Sequence, residues 1–138
     1  MKRACSIIIF NLLFIGKLLS QNDTNACYET GIASYYARAF EGRRCSSGEI
    51  FRHDSLTAAH KSLKFGTRVK ITNLKNDSVI VVRINDRLPK HSRRSIDLTK
   101  RGAKQLNFVQ QGLVKVKIEV LPDSAYKKET VEISPAPK

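Results

Sequence analysis

Asp86 stands between Asn85 and Arg87, where the β-branched run Val79-Ile80-Val81-Val82-Arg83-Ile84 gives way to polar residues and Pro89. A carboxylate at such a point has hydrogen-bonding and ionic neighbours at once, and residues at the mouth of a rigid strand often carry acid–base chemistry. Two other side chains are of types that trade protons near neutral pH. They are His60, which follows Thr57-Ala58-Ala59, and Glu49, which closes Ser47-Gly48-Glu49. Each also has an ordinary structural reading: Asp86 as a turn cap, His60 as a half-buried polar residue, Glu49 as part of an exposed turn. Asp97, in Ser95-Ile96-Asp97-Leu98-Thr99, reads as a helix cap or a partner for a loop donor. His53, His60 and His91 lack close ligand spacing, so neither a metal nor another cofactor is expected.

The elements that must position these groups are short. The run from Val79 reads as a strand buried on both faces, ending at Pro89, which cannot donate to a sheet ladder. Residues 67–72 alternate, with Val69 and Ile71 facing one way and Arg68 and Lys70 the other, and Asn76-Asp77-Ser78 predicts a hairpin turn between the two. Gly31-Ile32-Ala33-Ser34-Tyr35-Tyr36 has strand composition, and alternation places one of Tyr35 and Tyr36 outward, where its ring could stack on a ligand, and the other inward as ordinary core. Leu98, Gly102 and Leu106 mark a short helix started by Asp97 or Thr99. Val114, Val116, Ile118 and Val120 then alternate with Lys115, Lys117 and Glu119 in a last strand. Several short strands with one small helix predict a mainly β chain folded as a compact barrel.

Lys2 and Arg3 precede an apolar stretch that is interrupted by Asn11 and Gly16 and gives way to polar residues after Ser20. Residues 1–20 therefore read as a secretory signal peptide cleaved near Ser20, rather than a membrane span. Residues 21–30 form a short segment, residues 31–121 one domain, and residues 122–138 a flexible Lys-, Glu-, Ser- and Pro-containing tail, with Val131-Glu132-Ile133 a candidate edge strand. Once Lys2, Arg3 and Lys17 leave, 22 basic residues face 12 acidic ones, a net charge of +10. In an exported chain that balance suits acidic wall or envelope polymers, and no aromatic platform interleaves with the basic residues as a nucleic-acid binder would need. Cys27 and Cys45 remain as an even pair in an oxidising compartment, and a disulfide between them would add about 3 kcal/mol. The alternative is acylation of Cys27, which follows the small residue Ala26.

The ordered set Gly31-Ile32-Ala33-Ser34-Tyr35-Tyr36, Ser47-Gly48-Glu49, Thr57-Ala58-Ala59-His60, Phe65-Gly66-Thr67, Val69-Lys70-Ile71-Thr72-Asn73, Asn85-Asp86-Arg87 and Ile96-Asp97-Leu98-Thr99 resembles the rare lipoprotein A (RlpA) family. The resemblance implies a six-stranded double-psi β-barrel with one or two short helices. It implies an endolytic transglycosylase that cleaves the MurNAc-GlcNAc β-1,4 bond of peptidoglycan strands stripped of stem peptides, in wall remodelling or daughter-cell separation. Asp86 and His60 match its active-site positions. Glu49 is a candidate second acid, and Tyr36, Asn85 and Arg87 are candidate substrate contacts. The expected partner is the glycan strand, met in the periplasm or cell envelope by a monomer, with room for contacts to the division machinery. The alternative is a non-catalytic, expansin-like glycan-binding module using the same groove. Leu88 stands where the family usually has glycine before the proline. If Arg83 and Arg87 point at Asp86 they hold it ionised, which suits a base or charge stabiliser and leaves Glu49 or a protonated His60 to donate the proton.

Overall fold

The structure is a computed structural model and describes residues 27–123. The expected signal peptide, the segment before residue 27, and the tail beyond residue 123 with its candidate edge strand lie outside the described residues. Six strands, β1 (Tyr28–Tyr35), β2 (Thr57–His60), β3 (Arg68–Asn73), β4 (Val79–Arg87), β5 (Ile96–Leu98) and β6 (Val114–Val120), close into one barrel in the order β1-β5-β2-β4-β3-β6. β1 pairs with β5 and β2 with β4 in parallel, and the other four seams are antiparallel. The expected mainly β, six-stranded barrel is thus present, with helix α1 (Lys100–Gln105) and one 3-10 turn at Arg38–Phe40. β1 begins at Tyr28, three residues before the expected domain start, because Tyr28, Glu29 and Thr30 already pair with β6.

Alternation builds the core. Val69 and Ile71 of β3 face Val82 and Ile80 of β4 in register, and Val114, Val116 and Ile118 of β6 complete that wall. Leu98, Gly102 and Leu106 lie against it as expected, with Gly102 close to Ile80 and Leu98. The Thr99 hydroxyl caps α1 by accepting from the Gly102 amide at 3.2 Å. The expectation that the Val79 run is buried on both faces is corrected. Ile80, Val82 and Ile84 are buried, but Val79 and Val81 are 46% and 43% exposed. An antiparallel seam leaves one face to solvent, and β-branched composition selects extended backbone without requiring burial on both sides. The strands buried throughout are instead β2 and β5, of four and three residues, which sit side by side beneath the groove described below.

One contact restricts β1. A Cβ at Gly31 would collide with the Ser95 side chain just before β5, meeting its Cβ at 2.6 Å. We expect Gly31→Ala to lower stability by about 1–3 kcal/mol through this overlap. Addition of Ser95→Gly should recover much of the loss, as read from thermal unfolding midpoints; a Gly31→Ala midpoint equal to wild type would contradict the packing.

Candidate active site

Asp86 is the penultimate residue of β4, and three donors converge on its carboxylate. The Tyr36 hydroxyl donates to Oδ2 at 2.6 Å, and the backbone amides of Ser46 and Arg87 both donate to Oδ1 at 2.8 Å. Each donor reaches the site for a local reason. Tyr36 lies one residue past β1, fixed by its amide bond to the Leu98 carbonyl, and its ring packs on Phe51 and Phe40 at 4.4 and 5.4 Å. Ser46 sits in a tight turn closed by Cys45 N–H to Glu49 O and Gly48 N–H to Cys45 O, with Gly48 at φ 93° supplying the left-handed backbone. Burial alone would raise the Asp86 pKa, but the bonds from Tyr36, Ser46 and Arg87 outweigh it and hold the carboxyl below its ordinary range. Tyr36 moves the other way: burial, then the bond and charge of Asp86, push its hydroxyl well above the usual phenol value, so it stays a donor.

The other expected site residues divide into those near this carboxylate and those turned away. Glu49 accepts from Arg83 at 2.7 Å and from Asn85 Nδ2 at 2.8 Å, and these partners hold its pKa down. Arg83 therefore serves Glu49 and not Asp86, and Glu49 is an ionised anchor of the turn. Asn85 is buried and orients Glu49, while its carbonyl accepts from Ser47 N–H. Arg87 turns its guanidinium onto the carbonyls of Leu63 at 2.6 Å and His60 at 3.3 Å and over the Phe65 ring at 4.2 Å. It clamps the turn after β2, although part of it reaches the groove wall.

The ring of His60 is not brought to Asp86. Its Nδ1 accepts from the amides of Ser62 and Leu63, both at 3.1 Å, which leaves the proton on Nε2 to donate toward Glu29 at 3.2 Å. His60 pairs across β5 with the core residue Ile96, whereas Ala59 pairs with both Asp86 and Asp97. Adjacent residues of a strand point to opposite faces, so the imidazole and the Asp86 carboxylate lie on opposite sides of the sheet. Its carbonyl still supports the site, accepting from Leu88 N–H at 3.3 Å and from Arg87. Leu88 is buried and is not among the residues with positive φ, so glycine's freedom is not needed there.

The Cys27–Cys45 disulfide is also corrected: both thiols are free. Cys27 precedes β1 at one end of the barrel, and Cys45 lies beside Ser46 at the other, where β1 finishes. Eight residues of strand span about 26 Å, whereas a bridge needs Cα atoms within about 7 Å. Burial, followed by the charges of Asp86 and Glu49, pushes the Cys45 thiol up to about 11, so it stays protonated.

A groove of about 420 Å³ opens above Asp86, walled by Tyr36, Phe40, Leu88, Arg94 and Asp97. Asp97 is the residue that sequence reasoning undervalued. Its Oδ1 accepts from the Ser34 hydroxyl at 2.6 Å and its Oδ2 faces Arg94 at 3.2 Å, while Thr99 does the helix capping. Burial raises its pKa above the ordinary aspartate value against the opposing effects of Ser34 and Arg94, and the nearby Asp86 charge adds to the rise. Its neighbours Ile96 and Leu98 are buried in the core, so Asp97 between them points to the opposite face. Among the described residues no group of three or more His, Cys, Asp or Glu side chains is arranged to hold a metal ion.

Fold and groove together define a small closed β-barrel with a carboxylate-bearing cleft at the end of its parallel seams. Residues 28–118 match the double-psi β-barrel family described as lytic transglycolase, and the chain belongs to that family. It is 47% identical over 91 residues to the endolytic peptidoglycan transglycosylase RlpA of Neisseria meningitidis serogroup A, covering 66% of this chain and 38% of that protein. It is 39% identical over 115 residues to the protein of the same name from Rickettsia felis, covering 81% and 50%. The chain thus spans half or less of the length of these relatives. Among solved structures, the Streptomyces papain inhibitor superposes with a TM-score of 0.57 at 20% identity, covering 70% of this chain and 96% of that one. Apo expansin from Clavibacter michiganensis does so with 0.57 at 16%, covering 70% and 52%. Both likenesses concern the fold.

The donors on Asp86 make a pH-dependent prediction. A carboxyl with a depressed folded pKa stabilises the fold above its unfolded value of about 3.9 and loses that contribution as pH falls through the folded value. Tyr36→Phe removes one depressing bond and moves the folded value back up. The stability gap between wild type and Tyr36→Phe in urea unfolding should therefore be full above about pH 5 and shrink as pH drops below about 4. A gap that does not change with pH would contradict the assignment.

Proposed function

We propose that this barrel is the catalytic unit of a peptidoglycan lytic transglycosylase that cuts the MurNAc-GlcNAc β-1,4 bond, on glycan strands lacking stem peptides, in the cell envelope. The observation that carries the reading is Asp86, an ionised carboxylate fixed by three donors at the floor of a groove wide enough for a sugar. Family membership and the names of the curated relatives support the same activity.

The reaction breaks the bond from C1 of the muramyl residue to the leaving oxygen and joins C1 to the sugar's own C6 hydroxyl, giving a 1,6-anhydro end without water. As C1 departs from the leaving oxygen, positive charge spreads over C1 and the ring oxygen, and a fixed carboxylate beside them stabilises that charge without reorganising. The C6 hydroxyl becomes strongly acidic once it begins to bond to C1, so even a weakly basic, permanently ionised carboxylate can take its proton. Tyr36 keeps Asp86 in place while its ring, backed by Phe40 and Phe51, forms one wall of the groove. The net positive charge expected for the exported chain favours a glycan whose stripped lactyl groups are carboxylates.

Digestion of amidase-stripped sacculi by the exported form of the chain, followed by mass spectrometry, tests this. Anhydro-muramyl products should form and should fall by about 100-fold or more in Asp86→Asn. Reducing-end products would make the protein a hydrolase. Absence of products alongside retained glycan pull-down would favour the non-catalytic, expansin-like module.

A further inference from the structure

Asp86 held as an anion can stabilise positive charge and accept a proton, but it has none to give to the leaving oxygen. Glu49 is pinned as an anion by Arg83 and Asn85, and the imidazole of His60 lies on the far side of the sheet. The groove holds one further carboxyl. The Asp97 side chain is 10% exposed and lines the same cavity as Asp86. Ala59 pairs with Asp97 across one seam and with Asp86 across the other, so the two aspartates flank it two strand spacings apart, with Cα atoms separated by about 10 Å. A sugar in this cavity would meet both carboxyls.

Building on the transglycosylase reading, we propose that Asp97 is the proton donor of this site, with Asp86 its ionised counterpart and Arg94 the group that controls the donor. Asp97 gives its proton to the leaving oxygen as the C1–O bond breaks. The C6 hydroxyl closes on C1 and passes its proton to Asp86. Asp86 then releases that proton to solvent and Asp97 takes one up, which restores both groups and balances the cycle. Environments that push two carboxyls apart in acidity divide acid from base, and here burial raises Asp97 while three donors lower Asp86. The charged and titratable groups around Asp97 are Arg94 on the preceding loop, Asp86 on β4 and Tyr36 after β1. Ser34 occupies Oδ1, so the proton to be donated belongs on Oδ2, the oxygen that Arg94 faces. Arg94 is 43% exposed at the groove wall, where an incoming anion can reach it. A free lactyl carboxylate on the muramyl residue is such an anion, whereas a stem peptide converts it to an amide. Drawing Arg94 away uncovers Oδ2 and strengthens its hold on the proton, so a stripped strand would arm the donor by binding.

The test compares stripped glycan with a glycan fragment ending in muramic acid β-linked to 2,4-dinitrophenol, a leaving group that departs without protonation. Asp97→Asn, which can keep the Ser34 bond, should lose about 100-fold or more on glycan and remain within several-fold of wild type on the aryl substrate. Asp86→Asn should lose activity on both. Arg94→Gln gives a second readout: removing the cation raises the Asp97 pKa, so the alkaline limb of kcat/KM on stripped glycan should move to higher pH, and KM should rise. Equal losses for Asp97→Asn on both substrates, full activity of that variant on glycan, or an unmoved alkaline limb in Arg94→Gln would each overturn the assignment of Asp97 while leaving the transglycosylase intact. No release by wild type would instead overturn the transglycosylase reading, and Asp97 as donor with it.

Discussion

The Asp86 carboxylate is the tie on which the working end of this barrel depends. Its two oxygens gather the Tyr36 hydroxyl from beyond β1, the Ser46 amide from the turn closed by Gly48, and the Arg87 amide of β4 itself. The end of β1, the Ser46 turn and β4 thus meet at one anion. Charge-assisted bonds of this kind are about twice as strong as neutral ones, and the same bonds that organise the loops keep the carboxyl ionised. Structure and reactivity are therefore one constraint. Glu49 repeats the pattern one layer out, where Arg83 and Asn85 secure the turn that carries Ser46.

The topology explains why the cleft forms where it does. β2 and β5 are the shortest strands of the barrel wall, adjacent to one another, with Ala58, Ile96 and Leu98 packed into the core. Asp97 of β5 lines the groove, and Ala59 of β2 is buried between Asp97 and Asp86. Arg87 and the His60 turn brace one flank, and the Tyr36, Phe40 and Phe51 cluster braces the other.

Much of this was legible in the sequence, for identifiable reasons. β3, β4 and β6 run for six to nine residues, long enough for alternation to declare both strand and inward face, and Asp86 at the end of β4 followed from where that alternation stops. β2 and β5 were not readable as strands, since four and three residues cannot display a period. The placement of His60 was hidden by a register shift in the β2–β4 seam. Ala58 pairs with Ile84, but Ala59 pairs with Asp86, leaving Asn85 as the extra residue. Without that bulge His60 would lie beside Asp86 on one face; with it, the two point apart, and a one-residue shift of this kind leaves no mark in composition. The cysteines misled similarly, because an even count says nothing of the length of β1 that separates them. Asp97 was obscured by the helix that follows it, which made a capping role the simpler reading until Thr99 was seen to supply the cap.

The central claim is that the fold sets the two groove carboxyls to opposite protonation preferences, and carboxyl-carbon NMR of the folded protein through an acid titration tests it most directly. The account predicts that Asp86 titrates below an ordinary aspartate and Asp97 above one, each with the same sign of shift at low and moderate salt. An Asp86 that titrates at or above Asp97 would contradict it, since the donors around Asp86 would then not be holding an anion.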